Sequence, residues 1–173
     1  MTSDVVYLVD ANVLIEATNR YYSFSICPGF WDTLVWHADS GAVCSVDVVK
    51  RELLGGNDDL AVWVKNVAPA AAFHSTNDAD VVAWYGRIAN WVQNEPQFRP
   101  EAKAEFMKAA DPWLVADAGA HGMMLVTQET PEPMSRKKVK IPDVCRQFGV
   151  MWANTFEMLE DLGVAFGWRA PAA

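Results

Sequence analysis

Four carboxylates stand where chain elements should meet. Asp10 ends the apolar run YLVD, Glu52 lies in the RELL segment after AVCSV, Asp111 opens DPWLVADAGAH, and Glu129 follows two residues after the apolar MMLVT. Each has an ordinary explanation. Asp10 can cap the helix that follows it, and Asp111 before Pro112 fits an N-cap with proline at the first helical position. Glu52 can be a solvated helix residue and Glu129 a plain loop acid. Angular spacing argues against the ordinary set. Val46, Val49 and Leu53 share one helix face, and Glu52 lies only about 60° from Val49, flanking that face. Asp111 is in line with Leu114, Val115 and Ala118 and so enters the core side. Asp117 is turned by about 120° from Asp111 and is expected at the periphery. If the acids converge, two like charges about 4 Å apart repel by roughly 4 kcal/mol at an effective dielectric of 20. Such a cluster needs protons or a cation. Hard oxygen donors without Cys or His favour Mg²⁺ or Mn²⁺ over zinc. One or two such ions can bind a phosphodiester, generate hydroxide and stabilise the leaving oxygen.

Those acids need a scaffold to gather them. The 173 residues suggest one domain, taken as 1–168 with a C-terminal tail at 169–173. Half the chain is hydrophobic, with eight Trp and eight Phe, which excludes a disordered chain. Short β-branched or apolar runs predict strands at 5–9, 42–46, 71–75, 123–127 and 150–152. Helices are expected at 12–18, with an interruption near 19–22, and at 29–37, 47–54 and 60–67. Further helices are expected at 78–93, 101–109, 112–121, 142–148 and 154–162, and a loop at 130–140. Val81, Trp84, Ile88 and Trp91 recur at helical spacing and read as core or as a dimer face, which leaves a homo-oligomer open. Strands alternating with helices indicate a parallel sheet covered on both faces. Ligands in such folds sit beyond the carboxyl ends of the strands, where Asp10 should lie.

The net charge of −8 argues against broad, sequence-blind clamping of nucleic acid, though not against an enzyme with a local basic patch and a metal ion. Cys27, Cys44 and Cys145 are widely spaced, without a CxxC, and indicate buried thiols in a reducing cytoplasm. The N-terminus lacks the pattern of a signal peptide, and no stretch is long and uncharged enough to span a membrane.

With these residues in view, the chain resembles the PIN-domain ribonucleases. YLVDANVLIEA (7–17) is similar to their opening strand and turn, RELL (51–54) to their helix-borne Glu, and DPWLVADAGAHGMMLVTQE (111–129) to their third acid, the helix after it and the next strand. ATNRYYSFSICPGFW (17–31) and KKVKIPDVC (137–145) resemble a bacterial PIN-like subfamily of otherwise uncharacterised, toxin-like proteins. The likeness runs through about Phe166. It implies a three-layer α/β/α sandwich with a central parallel sheet. It further implies that Asp10, Glu52 and Asp111 hold Mg²⁺ or Mn²⁺ and are catalytic. It makes Glu129 the fourth acid of this catalytic, metal-holding set, at a position where the family usually has Asp, one methylene shorter, so that it acts on the metal directly or through water. Asn12 and Thr127 match positions that steady the site. The implied activity is cleavage of RNA phosphodiester bonds by a toxin whose antitoxin partner is helix-turn-helix or metalloprotease-like.

Arg136, Lys137, Lys138 and Lys140 form the dense basic run, read either as a solvated loop or as phosphate contacts. Arg20 with Tyr21 and Tyr22 could grip phosphate and stack a base, against packing in a core or lid. His37, His74 and His121 lie in separate segments with no ligand spacing, so a zinc site or a Ser-His-Asp triad is unsupported. Two other classes of function stay open. One is a catalytically decayed PIN-like binding protein acting through a partner interface. The other is a phosphoacceptor signalling domain, which would want paired acids after the first strand and an Asp ending the third.

Overall fold

The computed structural model describes residues 5–168. The expected tail at 169–173 lies outside the described residues. Five short parallel strands form one sheet: β1 (Tyr7–Val9), β2 (Val43–Val46), β3 (Phe73–His74), β4 (Met124–Val126) and β5 (Trp152–Ala153), in the order β3-β2-β1-β4-β5. Tyr7 pairs with Val43 on one side and Met124 on the other. Ser45 pairs with Phe73, and Leu125 with Trp152. The chain winds outward from β1 in both directions, so the sheet changes direction between β1 and β4. In an open parallel sheet that switch point opens a crevice at the strands' carboxyl ends. All expected strands are present but shorter, since each leaves the sheet for a loop within a residue or two of its apolar run.

Among the described residues nine α-helices cover the sheet. They are α1 (Ala11–Glu16), α2 (Pro28–Asp39), α3 (Asp47–Leu54), α4 (Asp59–Asn66), α5 (Ala79–Asn94), α6 (Pro100–Lys108), α7 (Asp111–His121), α8 (Ile141–Phe148) and α9 (Thr155–Asp161). The interruption expected near 19–22 is a π-helical turn, Ala17–Tyr21, in which Tyr22 N donates to Ala17 O at 2.7 Å. Side chains alternate across β2 and β3 as pleated strands require. Val43, Ser45 and Phe73 line a cavity with Leu34 and Ala38 of α2, while His74 meets Asp117 of α7. The molecule is thus a three-layer α/β/α sandwich.

Helix α7 lies deepest. Six of its residues from Pro112 to Ala118 are buried, and it packs on β2, β4, α5, α6 and α8. Pro112 stands in its first turn, which its fixed φ suits, and Gly122, with φ 68°, caps its end. Its approach to α5 is close. A Cβ at Gly119 would come 2.4 Å from the Trp84 ring. Elsewhere the boundaries follow ordinary capping. Asp78 accepts from Asp80 N and Val81 N to open α5, and Asn154 with Glu157 forms a capping box at α9. Tyr7 Oη donates to Asp161 Oδ2 at 3.0 Å, tying β1 to α9.

Candidate active site

Asp10 is the first residue after β1, at the switch point, and is 1% exposed. It does cap α1, through a long bond from Asn12 N to Oδ1 (3.4 Å). Its other oxygen, Oδ2, accepts from Thr127 Oγ1 at 3.1 Å, across to the end of β4. The same hydroxyl oxygen accepts from Glu129 N at 3.2 Å. Thr127 is therefore the joint that orients one acid and fixes the backbone of another. Asn12 contributes through its backbone N–H.

Beside Asp10 a cleft of about 210 Å³ is lined by Asn12, Glu52, Glu105, Asp111, Glu129 and Lys138, among others. Asp111 occupies the first position inside α7, with Ala110 at the N-cap, so the N-cap explanation does not hold for it. Its position follows from the apolar stripe behind it, which draws Leu114 and Val115 into the core and carries the half-buried Asp111 along. Glu52 rides on α3, whose Val49 and Leu53 are buried, and stands exposed at the flank that the helical angles predicted.

The electrostatics follow from this crowding. Burial pushes the Asp10 carboxyl up to about 7, against the lowering effect of its Asn12 and Thr127 bonds, and the charges of Glu129 and Glu52 add to the rise. Asp111 is pushed up to about 8 by burial first, then by the charges of Asp10, Glu129 and Glu52. Burial also raises Glu52. In each of these acids burial disfavours the charged form.

Glu129 differs. Its Oε2 accepts from Ile141 N at 2.8 Å, and its Oε1 lies 3.7 Å from Lys140 Nζ, which also reaches Glu132. It caps the start of α8 and has its own counter-ion. Lys138 is the cation lining the cleft, while Lys137 and Arg20 are exposed and lie outside it. Tyr22 is half-buried and stacks on Phe30 with centroids 4.6 Å apart, so it packs in the interior, whereas Tyr21 is 49% exposed.

A divalent ion can be tested against this donor set. Asp10, Glu52 and Asp111 fit Mg²⁺ or Mn²⁺ in chemistry: all-oxygen donors, crowded, with carboxyls driven up in the way a cation would relieve. The arrangement is open, however. Among the described residues no three His, Cys, Asp or Glu side chains stand close enough to enclose an ion. Glu129 does not fit, being turned onto Ile141 and Lys140.

Two groupings escaped the sequence reading. Glu105, on α6, faces the cleft. The signal was its place next to Phe106, which is buried, on the helix that leads straight into Asp111. The second grouping corrects two expectations. Asp117 is 0% exposed, not peripheral, and two of the three histidines meet on it. His121 Nδ1 donates to Asp117 Oδ1 at 2.9 Å, and His74 Nδ1 lies 3.5 Å from Oδ2. The angular argument failed because α7 is packed on several sides, so a residue 120° from one buried stripe meets another neighbour. His74 is raised to about 10, first by its bond to Asp117 and then by its bond to the Cys44 thiol.

A doubly wound parallel sheet with acids at its switch point is the PIN-like arrangement, and comparison with solved structures bears out the fold. VapBC2 from Rickettsia felis, in a crystal structure bound to a DNA fragment from their promoter, is 12% identical with a TM-score of 0.53, covering 87% of this chain and 98% of that one. FitAcB from Neisseria gonorrhoeae is 15% identical with a TM-score of 0.53, covering 87% of this chain and 99% of that one. The fold is PIN-like. Residues 7–166 match the family described as "Domain of unknown function (DUF4411)", and the chain belongs to that family. No curated protein matches it. Among the described residues no helix is long and apolar enough to cross a membrane.

Proposed function

We propose that this protein is a metal-dependent endoribonuclease, acting as the toxin of a toxin–antitoxin pair, with Asp10, Glu52 and Asp111 as its metal-holding acids. The observation that carries the reading is one cleft at the sheet's switch point, lined by Glu52 and Asp111 with Asp10 buried beside it, in a chain with a PIN-like fold. The toxin role rests on the resemblance in sequence, and both solved neighbours share the fold.

When bound, Mg²⁺ or Mn²⁺ supplies Lewis acidity and neutralises charge at the phosphodiester. The chain's own residues do the rest. Thr127 holds the Asp10 carboxylate at a fixed angle. Lys138 faces the cleft and neutralises a substrate phosphate oxygen. Glu129, fixed by Ile141 and Lys140, helps place a water molecule instead of ligating metal. Glu105 extends the acidic wall on the α6 side. Wild-type protein should cut a labelled single-stranded RNA with Mg²⁺ or Mn²⁺ and lose that activity in chelator. Asp10→Ala, folded by circular dichroism, should be inert. Undiminished cutting by Asp10→Ala and Asp111→Ala would refute the assignment.

A second reading has one observation in its favour. Glu129 is already neutralised by Lys140 and the remaining acids stand open, as suits a PIN-like protein that has kept its fold and partner surface but lost its chemistry. Titration calorimetry with Mn²⁺ separates the two readings, since the decayed protein takes up no metal.

A further inference from the structure

The rim that carries Asp10 continues past β4 to β5, and an aromatic shelf stands there. Thr127, bonded to Asp10 through its hydroxyl, donates its backbone N–H to Ala153 O at 3.0 Å. Three residues on, Phe156 opens α9 and is 49% exposed. Its ring meets Tyr21 edge-on with centroids 5.9 Å apart, and Tyr21 is equally exposed. Tyr21 ends the π-helical turn and neighbours Arg20, which is exposed and makes no ion pair among the described residues. β5, which leads into Phe156, lies two strand spacings, about 10 Å, from β1, which ends at Asp10.

Two half-exposed rings in contact, with a solvent-facing cation next to them in the chain, leave ring surface open to a flat partner. Core packing does not explain them. Tyr22 is the tyrosine of the pair that stacks inside, on Phe30, while Tyr21 is turned outward. Charge narrows the choice of occupant. A chain of net charge −8 cannot hold a polyanion by counterion release alone. Ring stacking carries no charge and accepts any base, but only a base that is unpaired.

We propose that Tyr21 and Phe156 form a stacking platform for unpaired bases of single-stranded RNA, with Arg20 on the adjoining phosphate, and that this shelf feeds the strand to the acidic cleft. The inference rests on the nuclease reading for the direction of the strand, but its test does not read cleavage.

The experiment is fluorescence anisotropy of the whole chain with an end-labelled single-stranded oligoribonucleotide and with an abasic strand of equal length and charge. Each is run in chelator and again with Ca²⁺. Tyr21→Ala and Phe156→Ala should each weaken binding of the base-bearing strand about tenfold and leave the abasic strand unchanged. Phe156→Trp should retain affinity and Phe156→Leu should lose it, since the ring and not apolar bulk is required. Arg20→Gln should lower the salt dependence by about 0.7 in slope. Equal losses on both strands, full affinity in Phe156→Leu, or binding of no strand in either buffer would overturn the proposal. So would a change of oligomeric state in Phe156→Ala by light scattering, which would assign the shelf to contact between copies of the chain. A strand bound with this base dependence but never cut with Mg²⁺ or Mn²⁺ leaves the shelf standing and removes the nuclease. A strand cut with Mg²⁺ or Mn²⁺ but bound without any base dependence does the reverse.

Discussion

One helix carries two acids, one half-buried and one fully buried, that meet opposite surroundings. Asp111 opens α7 and faces Asp10, Glu52 and Glu129. Asp117, six residues later on the same helix, faces His74 and His121. The first is a carboxyl crowded by its own kind and driven up to about 8. The second is fully enclosed yet compensated by two imidazoles. A structural acid is neutralised by the fold that buries it. An acid kept for chemistry is left uncompensated, at a cost in stability, until something else arrives.

The largest effect expected from this contrast is a double dissociation. Asp111→Asn should reduce RNA cleavage at least about a thousandfold, roughly 4 kcal/mol of barrier, and raise the melting temperature because a crowded charge is gone. Asp117→Asn should do the opposite, leaving cleavage of the folded protein near the wild-type rate and lowering the melting temperature. Parallel behaviour of the two variants would break the comparison. Next in size, replacing both His74 and His121 by Ala strands the enclosed Asp117 carboxylate. Chemical denaturation should then show a loss of about 3 kcal/mol, more than either single change.

The pH dependence of stability sharpens the contrast further. Raised carboxyl values mean that ionisation opposes folding. The acid cluster's contribution is whole below 3.8 and is lost as pH rises through about 7 for Asp10 and about 8 for Asp111. His74 is raised for the other reason, a bound partner. Its contribution is whole below 6.5 and is lost as pH rises through about 10. Asp111→Asn should therefore flatten the lower window alone, and so should added Mg²⁺. His74→Gln should flatten only the upper one. The smallest effect belongs to Glu129→Gln, which keeps an acceptor for Ile141 N–H and loses the pair with Lys140. Stability should change by less than about 1 kcal/mol, and cleavage should fall far less than in Asp111→Asn.

Much of this was legible in the sequence, for definite reasons. Strands and helices alternate with clean apolar periods, so the order of elements and the parallel sheet follow. Asp10 and Asp111 were visible because each abuts an apolar run whose burial fixes where the acid must go. The neutralisation of Glu129 was not visible. It depends on a loop of thirteen residues that brings Lys140 and the Ile141 amide back to the strand end, and no local pattern encodes that return. Asp117 was misplaced because an amphipathic wheel assumes one wet side, and α7 lacks it. His74 and His121 are separated by the whole of α5 and α6, and only the sheet order brings them together.

The bare backbone at Gly119 lets Trp84 lie flat against α7. The indole therefore works as a stop block behind a rod with a reactive tip at one end and a ballast charge near the other. A methyl added at Gly119, with Trp84 trimmed to make room, would slide that rod without altering either tip or ballast, giving an adjustment screw for the reach of Asp111 that leaves every charge in the molecule as it was.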